Sequence, residues 1–256
     1  MTTATMQPVY SAPESLTDTP THFCPGCGHG IVHRLIAEVV DELGIRERTI
    51  GVAPVGCAVL GYFYFNFDVA EAAHGRTPCV ATGIKRADPG KIVFSYQGDG
   101  DLAAIGMGET IHTANRGENL TVVFVNNSVY GMTGGQMAPT TLIGQCTATT
   151  PQGRDPAAGM GPPIGICELL NSLTQPWHIE RTAIDGPVGV RKTRSALLTA
   201  FTAQIDKKGY SFVEILSPCP VYQRLTPVDA FEFVGTKMTQ AFPAKVFRRE
   251  GRVVHA

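Results

Sequence analysis

Two apolar runs of strand length frame the middle of the chain. Residues 92–96 read Ile-Val-Phe-Ser-Tyr and residues 120–125 read Leu-Thr-Val-Val-Phe-Val. Both are continuous rather than alternating, the pattern of strands buried on both faces. Between them, residues 102–115 carry Ala, Gly, Ile and Met in a helical run. A strand, a crossover helix and a second strand bring two strand ends to the same carboxyl edge of a parallel sheet, where such sheets bind ligands.

The alternation continues on both sides. Ile31, Leu35, Ile36, Val39, Val40 and Leu43 recur at helical spacing and stop at Gly44. Residues 49–53, 177–183 and 212–216 read as strands, and residues 80–85 and 166–173 as short helices. Residues 191–208 alternate apolar and basic positions as an amphipathic helix, with Arg191, Lys192 and Arg194 on its solvated face. Thr226-Pro227 opens another helix with a capping residue and Pro at the first position. This order predicts an α/β fold, a mainly parallel sheet with helices on both faces, in one domain over residues 21–236.

Three regions fall outside the pattern. Residues 1–20, rich in Pro, Ser and Thr, read as an extended N-terminal arm, and residues 237–256 as a basic C-terminal tail. Residues 137–163 hold Thr, Gly and Pro without periodicity and leave the ligand edge directly, as a substrate-side or subunit-docking loop would. The aromatic stretch 61–67 has no interleaved basic residues, which predicts core or subunit interface rather than a stacking platform.

Composition narrows the function classes. With 256 residues, 43% hydrophobic and 17% charged, the chain can bury one substantial core, and its 28 glycines and low charge predict wide subunit contacts. A net charge of -1 supplies no footprint for nucleic acid. No apolar run approaches the roughly 18 residues of a membrane helix, and residues 1–10 lack the pattern of a secretory signal, so a cytoplasmic protein is expected. Seven cysteines in a reducing compartment argue for metal ligation over a disulfide framework.

The candidate chemistry lies at the strand ends. Gly98-Asp99-Gly100-Asp101 follows the first central strand; Asn126-Asn127 and then Tyr130-Gly-Met-Thr-Gly-Gly-Gln136 follow the second. Asp99 offers a hard carboxylate oxygen, Asn127 an amide oxygen, and the glycines allow backbone to approach phosphate, which suits a divalent cation holding a diphosphate. Each piece alone is an ordinary turn; their order is what carries the signal.

Cys24-Pro-Gly-Cys27 before a helix admits a redox pair, half a zinc site or part of an iron–sulfur site, and the redox reading wants a preceding strand that the arm does not supply. Cys57 and Cys219 each follow a strand, which places them to meet that loop at one sheet edge; the alternative is that both are small buried hydrophobes. Cys79 reads as core and Cys146 as an unassigned thiol. Arg154 is a candidate carboxylate clamp or a solvated loop residue. His74 reads as a core histidine. Glu109, inside the crossover helix, is not read as a catalytic acid.

Gly98-Asp99-Gly100 followed by Asn126-Asn127 resembles the thiamine diphosphate motif, and Tyr130 to Gln136 is similar to the beta subunits of 2-oxoacid:ferredoxin oxidoreductases. The resemblance runs over residues 24–227. It implies that Asp99, Asn127 and the carbonyl of Val129 hold Mg2+, and that Gly100, Asp101, Gly131, Met132 and Thr133 lie along the diphosphate. Gly56, Cys57, Ala58, His74 and Gly98 complete the implied cofactor contacts. It also implies a 4Fe-4S cluster on Cys24, Cys27, Cys57 and Cys219, with zinc the minor alternative, and a cofactor glutamate on a partner chain, so that no catalytic residue is identified in this one.

The implied reaction is coenzyme A-dependent oxidative decarboxylation of a 2-oxoacid, with electrons passing through the cluster to ferredoxin or a similar acceptor. The implied partners are an alpha subunit and others, including a ferredoxin-like subunit, because the chain has no closely spaced four-cysteine run. Residues 51–57 and 133–141 look more like the branched-chain enzymes than the pyruvate enzymes, with the 2-oxoglutarate enzymes close behind. Two other classes remain: a non-oxidative thiamine decarboxylase or synthase, and a zinc-stabilised binding subunit. Neither accounts for the full set of motifs.

Overall fold

The computed structural model describes residues 11–255. Its strands are β1 (Thr49–Ala53), β2 (Asp68–Glu71), β3 (Ile92–Gly98), β4 (Thr121–Asn126), β5 (His178–Ala183), β6 (Ser211–Leu216), β7 (Val246–Arg249) and β8 (Arg252–Val253). They form one sheet in the order β2-β1-β3-β4-β6-β5-β7-β8. The first six run parallel. β7 and β8 close one edge antiparallel. The principal helices are α1 (Gly28–Glu42), α2 (Gly61–Tyr64), α3 (Thr77–Ala87), α4 (Met107–Asn115), α5 (Ile166–Asn171) and α6 (Pro187–Ile205).

The two faces of the sheet follow from strand parity. Phe94, Tyr96, Val123, Val125, Val213 and Ile215 point to one side and share a core with Val32, Ile36 and Val39 of α1 and Leu197 and Phe201 of α6. On the other side, Val122, Phe124 and Phe212 meet Ala114 of α4 and Ile166 and Leu170 of α5, while Val93 meets Ala81 of α3. Every residue of β4 and β6 is buried. A continuous apolar run is therefore the right signature here, because a strand covered on both faces has no polar side to show. This is the mainly parallel α/β sheet expected from the sequence. No helix among the described residues is long and apolar enough to cross a membrane.

Several local expectations change. The run 102–115 is not one helix: a π-helical turn, Gly100–Ile105, gives way at Gly106 to α4. A Cβ at Gly106 would stand 2.6 Å from the carbonyl oxygens of Asp101 and Gly75, so the break is where the 74–75 loop lies against the turn.

The expected tail 237–256 instead extends the sheet, with Phe247 4% exposed and Arg248 donating to carbonyls of Asn171, Leu173, Thr174 and Gly251. Its strands hold only four and two residues, too short for a period to register. Of the expected arm, residues 1–10 lie outside the described residues. The part from residue 11 packs: Ser15 is fully buried and its hydroxyl donates to Asp41 Oδ1 at 2.5 Å, while Leu16 bridges Phe65. The aromatic stretch divides, Tyr64 and Phe65 buried and Tyr62 and Phe63 exposed. Cys79, expected in the core, is exposed on α3.

Candidate functional site

At the carboxyl edge of β1, β3 and β4 lies a cavity of about 340 Å³. Gly56, Cys57, Ala58, His74, Gly98, Asp99, Gly100, Asp101, Asn127, Gly131, Met132 and Thr133 all line it. Val129 is fully buried beside it. The parallel register explains the convergence: Gly98 pairs with Val125 and Asn126 with Leu216, so the loops after neighbouring strands emerge at one level. The wall also includes His29, Val55, Ala104, Ile105 and Tyr130.

Asp99 is 4% exposed. Its Oδ1 accepts from Gly100 N at 3.0 Å, and its Oδ2 from Val129 N at 3.1 Å and Thr140 Oγ1 at 3.3 Å. Burial pushes its pKa up to about 7, although those donors favour the charged form. No ion pair among the described residues includes Asp99. A buried carboxylate beside an open cavity, short of positive charge, suits a hard cation.

Asn127 Oδ1 shares the same Val129 N–H at 3.2 Å, so the two side-chain oxygens converge. Ser128 makes this possible by turning the chain through φ 63°, a left-handed conformation rare outside glycine. Gly56 and Gly98 form an open cradle: a Cβ on either would meet no protein atom within 4 Å. The residues present therefore fit a cation and a diphosphate.

Asp101 is differently employed. It is 1% exposed and accepts from Gly75 N at 2.6 Å, Gln97 Nε2 at 2.6 Å and Thr77 Oγ1 at 3.2 Å, with His74 Nδ1 at 2.8 Å. Its carboxylate is engaged by protein donors and holds His74 at the cavity wall.

The cysteine loops meet at the same edge. Cys27 N donates to Cys24 O at 2.9 Å, and Gly28 N donates to Pro218 O at 3.2 Å, joining the first loop to the one after β6. A Cβ at Gly131 would stand 3.4 Å from Cys219 Sγ and 3.7 Å from Cys57 Sγ. Burial pushes the Cys27 thiol up to about 12, with nearby Cys57 and Cys24 adding to the rise. Burial likewise raises Cys57 and Cys219, with Cys24 acting on the first and Cys27 and Cys57 on the second. Thiolates at these buried positions would need compensating positive charge. Among the described residues, no group of three or more His, Cys, Asp and Glu side chains is placed to hold a single metal ion. Cys146 is exposed and Cys167 buried.

His29 was not singled out by sequence. It is 3% exposed, its Nδ1 lies 2.5 Å from the Tyr96 hydroxyl, and burial lowers its pKa to about 4, which keeps the ring neutral. The available signal was its place in the first turn of α1, two residues after Cys27.

Arg154 is neither a carboxylate clamp nor solvated. It is 5% exposed and donates to the carbonyls of Ala138, Pro139, Thr141, Met160, Gly161 and Pro162. One planar fork thus organises a long loop that carries a single 3-10 turn, Pro156–Ala158. Arg154→Ala is expected to destabilise the protein by about 3 kcal/mol or more, since hydrogen bonds to a charged donor are the strong ones. Arg154→Lys should recover only part, lacking the fork. Thermal melting and the rate of proteolytic cleavage within 137–163 would check this. Glu109 pairs with Arg76, outside the cavity lining.

Residues 55–215 match the family model of the thiamine pyrophosphate enzyme C-terminal TPP binding domain. The ketoisovalerate oxidoreductase subunit VorA of Methanothermobacter marburgensis is 55% identical over 230 residues, 90% of this chain and 48% of that protein. The chain thus spans about half the length of that relative. The 2-oxoglutarate synthase subunit KorB of Methanocaldococcus jannaschii is 38% identical over 246 residues, 92% of this chain and 86% of that one. The solved 2-oxoglutarate:ferredoxin oxidoreductase from Magnetococcus marinus, with 2-oxoglutarate, coenzyme A and succinyl-CoA bound, shares the fold at a TM-score of 0.77 and 24% identity, over 97% of this chain and 86% of that one. A carboxyl-edge cavity built on Asp99 and Asn127, a thiamine-enzyme match over most of the chain and 38% identity over most of a KorB subunit agree: the chain belongs to the thiamine diphosphate-binding beta-subunit family of the 2-oxoacid:ferredoxin oxidoreductases.

Proposed function

We propose that the chain is the subunit of a 2-oxoacid:ferredoxin oxidoreductase that carries thiamine diphosphate, Mg2+ and one 4Fe-4S cluster. The reaction is 2-oxoacid plus coenzyme A to acyl-CoA and CO2, with two electrons passed to ferredoxin or a similar acceptor. The observation that carries this reading is Asp99: a buried carboxylate without an ion-pair partner, sharing a backbone donor with Asn127 at the wall of a cavity.

Asp99, Asn127 and the carbonyl of Val129 would hold Mg2+, and Gly98, Gly100, Gly131, Met132 and Thr133 would admit the diphosphate along their backbone. Thiamine diphosphate, when bound, supplies the electron sink that a 2-oxoacid needs to release CO2. Val55, Ala104, Ile105 and Met132 give the cavity an apolar wall, of which Val55, Ile105 and Met132 are exposed in this chain. His74, held by Asp101, gives that wall a polar atom of defined position. Cys24, Cys27, Cys57 and Cys219 would hold the cluster, whose net positive core offsets the charge of thiolates that burial otherwise disfavours.

We assign the cofactor glutamate, the onward clusters and the acceptor contact to partner subunits. The isolated chain is therefore expected not to turn over. Measuring coenzyme A-dependent dye reduction with the chain alone and with its partner subunits checks this, and full activity from the chain alone would refute it.

A branched-chain 2-oxoacid is the proposed substrate. Among the described residues none that lines the cavity is Lys or Arg, and Val55, Ile105 and Met132 suit an aliphatic side chain. The name of the VorA relative points the same way. The test is iron, sulfide and thiamine content with a visible spectrum on anaerobically co-purified subunits, followed by kcat/KM for branched-chain substrates against 2-oxoglutarate. Thiamine with zinc or no metal would replace this reading with the non-oxidative one, and a preference for 2-oxoglutarate would overturn the substrate assignment.

A further inference from the structure

On the face of the sheet opposite α1 and α6, a line of buried charged and polar groups runs from the rim to the turn that carries Asn127. Glu168 of α5 takes Arg181 Nη1 and Nη2 at 2.9 and 2.6 Å. Arg181 Nε donates to Glu214 Oε2 at 2.8 Å, and the other oxygen of Glu214 accepts from Asn126 Nδ2 at 2.8 Å. Asn126 Oδ1 then accepts from Ser128 N at 3.1 Å. Arg181 is 1% exposed and Glu214 and Asn126 are fully buried. The rings of Phe242 and Phe247 lie 5.3 and 5.0 Å from the guanidinium, so the C-terminal segment seals it.

This line has a direction. An ionised carboxylate only accepts, so Glu214 dictates that Asn126 turns its NH2 toward it and its oxygen toward Ser128. That oxygen secures the N–H of a residue at φ 63°, a conformation that costs free energy and persists only when its surroundings over-determine it. Ser128 in turn delivers Val129 N to both Asp99 and Asn127. Arg181 compensates the charge that Glu214 brings into the core.

We propose that Glu168, Arg181, Glu214 and Asn126 are positioning residues for the cation-holding turn 127–129: they touch neither cofactor nor substrate, and act on the site through the orientation of the Asn126 amide. The identity of the ligand, Mg2+ with thiamine diphosphate, rests on the proposed function; the mechanical link does not.

The test uses the full chain co-purified with its partner subunits and stripped of cofactor. Mg2+ is titrated calorimetrically at saturating thiamine diphosphate, and amide exchange at 128 and 129 is followed without cofactor. Arg181→Met keeps an unbranched apolar side chain between the phenylalanines and removes the charge; Glu168→Gln, at the half-exposed rim, is the milder variant. The expected losses of Mg2+ affinity are roughly 10- to 100-fold for Asn126→Ala and Arg181→Met, as for other groups that orient metal ligands, and a few-fold for Glu168→Gln.

Because Arg181 acts through Asn126, the double variant should lose no more than Asn126→Ala alone. Exchange at 128 and 129 should rise in each variant. Mg2+ affinity and exchange at wild-type values with only a lower Tm would make these residues scaffolding and overturn the proposal, as would fully additive losses. If Arg181→Met does not fold, unchanged behaviour of Glu168→Gln in both measurements overturns it equally. Wild-type protein that binds no thiamine diphosphate would defeat the cofactor reading, while the exchange data would still decide whether the line holds the turn.

Discussion

Asp99→Asn protein is expected to bind Mg2+–thiamine diphosphate at least roughly 100-fold more weakly and to lose turnover accordingly, since the several kcal/mol that a carboxylate contributes to a divalent cation disappear with its charge. The fold should survive. The amide oxygen can still accept from Val129 N and Thr140, at the cost of turning the NH2 toward Gly100 N, and that cost is offset by removing a buried charge that has no ion-pair partner.

A pH signature accompanies the change. In the cofactor-free protein the folded-state pKa of Asp99, about 7, lies above its ordinary 3.8. The folded state therefore holds the proton more tightly than the unfolded state. This contribution favours folding at low pH and is lost as pH rises from 3.8 through about 7. Wild-type apoprotein should lose more stability than Asp99→Asn between pH 5 and pH 8. Mg2+ binding to wild type should weaken as pH falls below 7, because the proton competes with the cation. Calorimetric titrations and melting curves of both proteins across that range would decide it, and parallel pH profiles would show that Asp99 is not the group involved.

Cys219→Ser protein is expected to lose the visible iron–sulfur band and at least about 100-fold of electron transfer to the acceptor, because a serine hydroxyl does not replace the thiolate as a cluster ligand. Its thiamine content should remain near that of wild type. Gly131 separates Cys219 from Asn127, and a smaller side chain at 219 intrudes on neither. Cys79→Ser, on the exposed face of α3, should leave the iron–sulfur band, the thiamine content and the rate unchanged. Retained iron and sulfide in the Cys219 variant would remove this residue from the cluster.

How much was legible differs from element to element. β3, β4 and β6 could be read from the sequence with only their ends displaced, because each is dominated by apolar residues and burial on both faces needs no knowledge of the partner strand. β2 and β7 could not. They are short strands with half-exposed patterns, and only pairing to a neighbour makes them strands. The break at Gly106 was invisible for a related reason, since its cause is the carbonyl of Gly75, far away in sequence.

Site residues divide in the same way. Asp99 and Asn127 stand where a motif states its geometry locally: a strand end, a turn residue, a glycine beside it. Arg154, Asp101 and Asn126 bear side chains whose tasks depend on which groups face them. Arg154, a candidate clamp or solvated residue, organises a loop; the Asp101 carboxylate holds His74 at the cavity wall; and Asn126, half of a two-residue signature, is the last link of a buried line.

The sequence alone determined the α/β order, the carboxyl-edge placement of both strand-end loops and the oxygen donors offered there. These depend on hydrophobic periodicity and turn chemistry, which act over a few residues. The tertiary structure decided where each buried polar group spends its hydrogen bonds and how the loops of Cys24, Cys27, Cys57 and Cys219 converge. A buried donor or acceptor must find a partner wherever the fold supplies one, and that choice belongs to the packed chain rather than to any stretch of it.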